Sequence, residues 1–312
     1  MGGKLFMTIL MLFALLFSFV AVYQNLPRSP VEMQASEIEP EVVAIINYGA
    51  TPVFVENLRF NHNAISYFIE DECAKVRRDA MIEAFDIFAD EMKLISFYEI
   101  KNKDVADIEV GCSDDYIELG ENLFTAGEGG PSKIINTSGF RTIEKGKILL
   151  YSDSQCDYPG VELHELLHVF GFDHTEDPNN IMYNVSRCNQ GITADMVELI
   201  DKLYSIEALP DAVISELVAV KKGRYVDFNI TVLNEGLIGI ASINLTIVAN
   251  DKEIQMIDLG EIDIGYGRTL RAENIRLPSR SVEKIDFIID RDNVVRELNE
   301  NNNFMEMVVE SQ

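Results

Sequence analysis

The hydrophobic pattern begins with one long apolar run. Residues Leu5 to Tyr23 are apolar apart from Thr8 and Ser18, and a run of this length can span a bilayer. Because Lys4 precedes it, we expect residues 1–23 to be a transmembrane anchor with the N-terminus inside and the remainder outside the cell. No small-x-small cleavage site follows the run. A cleaved signal peptide that yields a secreted protein is the alternative.

The next part of the chain mixes two hydrophobic periods. Residues 24–41 contain three prolines and several acids, and predict an extended linker. Within residues 42–208, helical spacing over Glu72–Lys93 predicts a helix, and Thr193–Tyr204 predicts a closing one. The Gly-rich interval Gly120–Pro131 predicts a surface loop. Alternating apolar residues predict short strands near Val53–Phe60, Ile65–Ile69, Ile95–Ile100, Ala106–Gly111, Lys133–Phe140 and Lys147–Ser152. This mixture predicts an α+β domain.

The pattern of apolar and polar residues changes after Pro210. Apolar and polar residues alternate between turn residues such as Asn234-Glu235-Gly236, which favours an antiparallel sandwich over residues 209–312. Seven strands are predicted, near Val213–Val220, Tyr225–Leu233, Ser242–Val248, Glu253–Ile257, Arg268–Ile275, Val282–Ile289 and Phe304–Val309.

Composition narrows the range of partners. The 312 residues include 26 basic and 52 acidic side chains, for a net charge of -26. A nucleic acid or an anionic lipid surface is therefore not expected as a partner. Hydrophobic residues make up 47% of the chain, which excludes wholesale disorder.

Three of the 4 histidines fall between His164 and His174. His164 and His168 are four apart and share one face of a helix, so both can reach one metal ion. Gly171 can end that helix in the left-handed conformation and bring His174 back as a third ligand. A fourth position then stays open for water, as a catalytic Zn2+ site requires. Glu165, beside the histidine face, can accept a proton from that water as general base.

This stretch resembles the metzincin metalloproteases, whose signature is His-Glu-x-x-His-x-x-Gly-x-x-His followed by a Met-turn. Asn180-Ile181-Met182-Tyr183 matches the Met-turn, so the resemblance places Met182 beneath the zinc-bound imidazoles. Thr175 follows the third histidine and no tyrosine stands two places after the methionine, which favours the matrixin-like branch. The resemblance implies a zincin-like α+β catalytic domain that cleaves peptide or protein substrates. It also implies that the edge strand near Lys133–Phe140 pairs with an extended substrate.

A second resemblance lies near the C-terminus. Residues Asp290 to Asn303 resemble the Asp-x-x-Asn…Glu-x-Asn-Glu-x-Asn-Asn loop of CARDB domains, which are modules of prokaryotic cell-surface proteins. The resemblance implies an all-β immunoglobulin-like sandwich. The acids of this loop could bind Ca2+, but a hydrogen-bonded turn explains the same residues and nothing else supports calcium.

The four cysteines are Cys73, Cys112, Cys156 and Cys188, with no Cys-x-x-Cys pair that would indicate a second metal site. Cys156 precedes the histidine helix and Cys188 follows the Met-turn, so a disulfide between them would restrain both ends of the active-site segment. Cys73 and Cys112 would form the other pair. Four cysteines allow three connectivities, and free buried thiols are a further alternative.

These patterns predict a membrane-tethered, outward-facing zinc endopeptidase with an accessory sandwich domain. The alternative is a cell-surface adhesion or binding protein whose zinc domain is not catalytic. Glu165 argues against that alternative, because a purely structural site has no need of the carboxylate.

Overall fold

A computed structural model describes residues 11, 13–18, 20, 30–35, 50–115, 118–120, 123–153 and 156–309. The few described residues of the expected anchor, between 11 and 20, are helical, and the rest of residues 1–23 lies outside the described part. Among the residues that the structure describes, no helix is both long and apolar enough to cross a bilayer. Strand β1 (Val31–Ala35) is the next element in the part of the chain that the structure describes.

The first domain is a mixed α/β unit. Its helices are α1 (Lys75–Glu91), α2 (Gly160–Val169) and α3 (Ala194–Ser205), with a short 3-10 helix at Lys103–Val105. Its strands are β2 (Leu58–Phe60), β3 (Ala64–Ile69), β4 (Ser96–Glu99), β5 (Ile108–Cys112), β6 (Glu118–Gly120), β7 (Leu123–Phe124), β8 (Gly127–Asn136) and β9 (Arg141–Leu150). Strands β2, β9, β5, β3 and β4 pair in parallel in that order, while β8 pairs antiparallel with β9. The small β6–β7 pair stands apart from this sheet.

The interval predicted as a Gly-rich loop contains strands, so that prediction is wrong. It holds the last residue of β6, all of β7 and the first half of β8. Apolar and polar residues do not alternate there because glycines occupy the inward positions. A Cβ atom at Gly129 would lie 2.1 Å from the backbone oxygen of Glu165, which leaves room only for glycine. The close approach of β8 to helix α2 therefore depends on glycines, and no apolar residues mark it in the sequence.

Helices α1 and α2 pack against each other in the core of the first domain. Helix α1 buries Met81, Ala84, Phe85 and Phe88 on one face, as an amphipathic helix does. The ring of Phe170, at the end of α2, lies 4.5 Å from that of Phe88 between centroids. This packing fixes the histidine helix against α1, and burial of large side chains is its main source of stability.

One buried cation joins strand β2 to helix α3. The side chain of Arg59 is buried, and its guanidinium donates to the backbone oxygens of Leu203 and Ile206 at the end of α3. Its Cζ atom lies 4.7 Å from the centroid of the Tyr204 ring. A helix C-terminus offers unpaired carbonyls and partial negative charge, so it can hold a guanidinium without a carboxylate.

The second domain is all antiparallel and contains one strand for each of the seven predicted. These are β10 (Ala212–Lys222), β11 (Tyr225–Asn234), β12 (Ile240–Ala249), β13 (Lys252–Ile262), β14 (Gly267–Arg276), β15 (Lys284–Ile289) and β16 (Phe304–Val309). The two domains have separate hydrophobic cores. The mixed α/β first domain and the antiparallel second domain confirm the predicted fold classes.

Strand β1 belongs to the second domain. It comes from the segment predicted as an extended linker, and it lies between β16 and β10 in the order β13-β12-β15-β16-β1-β10-β11-β14. Val31 and Glu32 pair with β10, while Met33 to Ala35 pair with β16. Met33 is buried in the sandwich core. The sandwich is thus built from two parts of the chain, with the whole first domain between them.

Candidate metal centre

Helix α2 and the turn after it carry the three clustered histidines. His164 and His168 lie one turn apart on α2. The helix ends at Val169, and two residues later Gly171 has a φ of 95°, in the left-handed region. The N–H of Gly171 donates to the oxygen of His168 at 3.0 Å, and that of Phe172 donates to the oxygen of Leu167 at 3.2 Å. This is the Schellman pattern, and it reverses the chain toward His174 as the glycine predicts.

The three side chains converge on one point. The Nε2 atoms of His164 and His168 are 3.1 Å apart, those of His164 and His174 are 3.1 Å apart, and those of His168 and His174 are 3.3 Å apart. Three nitrogen ligands of a tetrahedral Zn2+ ion, with bonds of about 2.0–2.1 Å, lie about 3.3 Å from one another. The triangle therefore fits a single zinc ion and leaves one side open.

Backbone carbonyls orient two of the imidazoles. The Nδ1–H of His164 donates to the oxygen of Ile181, and that of His168 donates to the oxygen of Phe172, each at 2.7 Å. With the proton on Nδ1, the Nε2 lone pair points to the shared centre. Burial lowers the pKa of His164 to about 4, with the two neighbouring histidines adding to the effect, and burial also lowers the pKa of His168. Burial thus favours the neutral form of both rings, which is the form that binds a metal.

Glu165 is buried beside this centre, with 6% of its surface exposed. A Cβ atom at Gly127 would lie 2.7 Å from its Cγ, so strand β8 covers the side chain closely. Burial raises the pKa of Glu165 to about 8, the negative charges of Glu128 and Glu162 act in the same direction, and the N–H of Gly129 opposes them. A cation at the triad would favour the charged carboxylate. The pKa of the Glu165 carboxyl therefore depends on its burial and on the charges around it, as is common for groups at functional sites.

The segment after His174 returns to the histidines through a network of hydrogen bonds. Met182 is fully buried, and its oxygen accepts from the N–H of Thr175 at 3.0 Å. The side chain of Asn180 accepts from the N–H of Met182 at 2.8 Å and donates to the hydroxyl of Thr51 at 3.0 Å. The position of Met182 beneath the imidazoles stays a prediction.

Two disulfides restrain the first domain. Cys156 is bonded to Cys188, and Cys73 to Cys112, which are the pairs that the sequence favours. The first of these bonds joins the chain before α2 to the chain after the Met-turn. The second joins the segment before α1 to the end of β5.

The remaining histidine has a different environment. The ring nitrogens of His62 lie 2.6 Å from Asn61 Oδ1 and 3.1 Å from Asp107 Oδ2. Within the described parts of the chain, His164, His168 and His174 are the only group of three or more histidines, cysteines or acids close enough to share a metal ion.

The acidic loop of the second domain is internally hydrogen-bonded. The Asp290 carboxylate accepts from the N–H of Val295 at 2.6 Å. The buried Glu297 accepts from the N–H of Ala212 and from the side chain of Asn303. These contacts tie the loop to the start of β10, and a role for Ca2+ gains no support from them.

Several residues of the site have no signal in the sequence. Gly127 and Gly129 read as loop residues, although they bring strand β8 against Glu165. Glu128 comes near the site only because β8 crosses α2. Asn180 belongs to the Met-turn motif, so the sequence indicates its position. Its hydrogen bond to the distant Thr51 has no signal in the sequence.

Comparison with known proteins assigns both domains. Residues 59–205 match the Matrixin family and residues 209–307 match the CARDB family. Among solved structures, a CARDB domain from Pyrococcus furiosus, in complex with di-metal ions, shares 21% identity over 32% of this chain and 88% of its own, with a TM-score of 0.25. A domain of a protein from Methanosarcina acetivorans, named as a cell surface protein, shares 16% identity over 33% of this chain and 94% of its own, with a TM-score of 0.27. No curated protein matches the chain.

Proposed function

Residues 59–205 are a matrixin metalloendopeptidase domain and residues 209–307 are a CARDB domain, and we propose that the protein is an extracytoplasmic zinc endopeptidase with Glu165 as general base. The observation that carries the proposal is the triangle of three Nε2 atoms, 3.1–3.3 Å on each side, next to a buried carboxyl. His164, His168 and His174 would hold the ion.

Each residue of the site has a part in peptide hydrolysis. When bound, zinc supplies Lewis-acid chemistry, which activates a water and polarises a carbonyl. The Glu165 carboxylate takes the proton of the attacking water and then delivers it to the nitrogen of the leaving amine. The N–H of Gly129 holds this carboxylate in place. The carbonyls of Ile181 and Phe172 keep two imidazoles in the tautomer that leaves Nε2 free.

Strand β8 offers a place for the substrate. It pairs with β9 along one edge, and among the described strands no other pairs with its second edge. Its only proline, Pro131, is tolerated at such an edge. A substrate in extended conformation can therefore add to β8 as a further strand beside Glu165.

The two disulfides support a location outside the cytoplasm, because reducing compartments do not preserve such bonds. We infer further that residues 1–23 hold the protein at the membrane, from their apolar run alone.

The test separates an enzyme from an adhesion protein. Glu165→Gln should keep one zinc ion per chain and lose at least roughly 100-fold in turnover of a fluorogenic peptide, because proton transfer is removed and the ligands are not. Alanine at His164, His168 or His174 should lose most of the metal, measured by mass spectrometry. His62→Ala is the matched control and should keep both metal and activity. Undiminished turnover in Glu165→Gln would refute the proposed base, and a wild type without peptidase activity would favour the adhesion protein.

A further inference from the structure

Strand β8 leads from the metal centre to the second domain. Near its start Gly129 lies against Glu165, as described above. Near its end Ile135 lies against the second domain, since a Cβ atom at Gly265 would be 2.7 Å from Ile135 Cγ2. Gly129 and Ile135 are six positions apart, which is about 20 Å of extended chain at about 3.3 Å per residue. One strand edge thus connects the two domains.

The part of the second domain at this contact is a well-held turn. The N–H of Tyr266 donates to the oxygen of Asp263 at 3.1 Å, and the N–H of Gly265 donates to the oxygen of Asn234 at 2.9 Å. Gly265 has a φ of 71° and no side chain, so it can approach Ile135 closely. The turn at 263–266 therefore keeps a fixed position at the end of β11.

A second contact holds the hairpin between β8 and β9. The N–H of Ser138 donates to the carboxylate of Glu235, which directly follows β11. Glu235 in turn donates its own N–H to the oxygen of Asp211 at 2.7 Å. Two neighbouring loops of the sandwich thus contact the same end of the edge strand.

Tyr266 is exposed beside the second half of β8. Its side chain is 65% exposed, although a large aromatic ring gains from burial. Tyr266 directly follows Gly265, the residue that lies against Ile135. The exposed phenol is therefore attached to the turn that contacts the second half of β8.

The direction of β8 decides which part of a substrate reaches this surface. β8 runs from Glu165 toward the sandwich, and antiparallel pairs are the commoner kind. The N-terminal part of an antiparallel substrate would lie beside Ile135, and its scissile bond would lie near Gly129.

We infer that Tyr266, with the turn around it, is a distal substrate-binding surface that contacts residues about six positions on the N-terminal side of the scissile bond. This inference rests on the proposed function. It names the substrate class as extended, unstructured polypeptide segments, because a chain must stay in β conformation along β8 to reach both sites. Peptides shorter than this span meet only the first domain.

The experiment compares peptides of different length on the full chain. A cleavable core is selected from a peptide library digested by the wild type, and is extended at its N-terminus by none, by about four or by about eight residues. Tyr266→Ala should raise KM roughly three- to ten-fold for the longest peptide, with kcat unchanged, because an aromatic contact remote from the reaction contributes to binding alone. The shortest peptide should be cleaved as by the wild type.

Tyr225→Ala is the matched control. Tyr225 is another exposed tyrosine of the sandwich, at the opposite end of β11 from Asn234, and its loss should change KM at no length. Equal KM values for Tyr266→Ala and wild type on the longest peptide, or a rise of equal size at every length, would overturn the inference and leave the endopeptidase intact. A wild type that cleaves no library peptide would instead refute the proposed function and the inference with it.

Discussion

At the scale of single residues, the site depends on hydrogen bonds that hold the ligands from behind. Asn180 is the central example, because its buried amide joins the Met-turn to Thr51 near the start of the first domain. The amide also lies 3.3 Å from the hydroxyl of Thr193, before helix α3. One side chain therefore connects three segments that are far apart in sequence.

Asn180→Ala should lower the free energy of unfolding by roughly 1–3 kcal/mol, since the N–H of Met182 loses its buried acceptor. Zinc should also leave more readily, because Ile181, which orients His164, is the next residue. Denaturant unfolding and competition with a chelator measure the two effects. Asn179→Ala is the control, because Asn179 is exposed and its side-chain amide donates to Asp177. Equal behaviour of the two variants would contradict this role.

A titrating residue in the second domain gives a pH prediction. Burial raises the pKa of Glu297 to about 7, against the opposing hydrogen bonds from Ala212 and Asn303. The folded state thus binds a proton more tightly than the unfolded state. The contribution of protonated Glu297 to the free energy of unfolding is therefore fully present below about pH 4.5 and is lost as the pH rises through 7. The slope is at most about 1.4 kcal/mol per pH unit.

Hydrogen exchange of the amides in β10–β16, followed from pH 5 to pH 8 (about the range in which this carboxyl titrates), should show that falling stability. Glu297→Gln should flatten the dependence, because the side chain no longer ionises. Glu253→Gln, at an exposed acid of the same domain, should leave it unchanged. A slope of the same size in Glu297→Gln would assign it to other groups.

At the scale of elements, the contact between β8 and α2 aligns the substrate edge with the catalytic base. Gly129→Ala should force the two apart, since the added Cβ atom would lie 2.1 Å from the Glu165 oxygen. We expect a loss of roughly 1–3 kcal/mol in stability and a larger relative loss of peptide turnover. Gly130→Ala, on the same strand with nothing within 4 Å of its Cβ position, is the control. Full activity in Gly129→Ala would show that β8 need not lie against the helix.

The elements also show what the sequence could predict. Helix α1 and the seven strands of the sandwich follow their hydrophobic periods, and the histidine ligands follow their spacing. The start of β8 could not be predicted, because its inward positions are glycines, which the close approach of helix α2 requires. Strand β1 was missed for a different reason. Its five residues do alternate between apolar and polar, but so short a run among prolines and acids also fits a linker, and its partners β10 and β16 lie far along the chain.

At the scale of the molecule, the two cores share no residues, so the first domain should work alone. Residues 42–208 are expected to fold and to cleave short peptides within about two-fold of the full-chain rate, because a domain with its own core can fold by itself. The comparison is short-peptide turnover at equal zinc content, with circular dichroism as the check of folding. A folded but inactive first domain would mean that the sandwich completes the active site and that the proposed boundary is wrong.

The placement of β1 bears on how such an enzyme could be shed from a cell. If residues 1–23 anchor the chain, the covalent path to the catalytic centre runs first through β1 and then through residues 36–49. A proteolytic nick in that stretch would break the path, yet β1 would still be paired with β10 and β16. The enzyme would then stay at the surface through the noncovalent pairing of β1 with its two neighbouring strands. Its release would require the sandwich to open, so the stability of the second domain would set the lifetime of the cut enzyme on the cell.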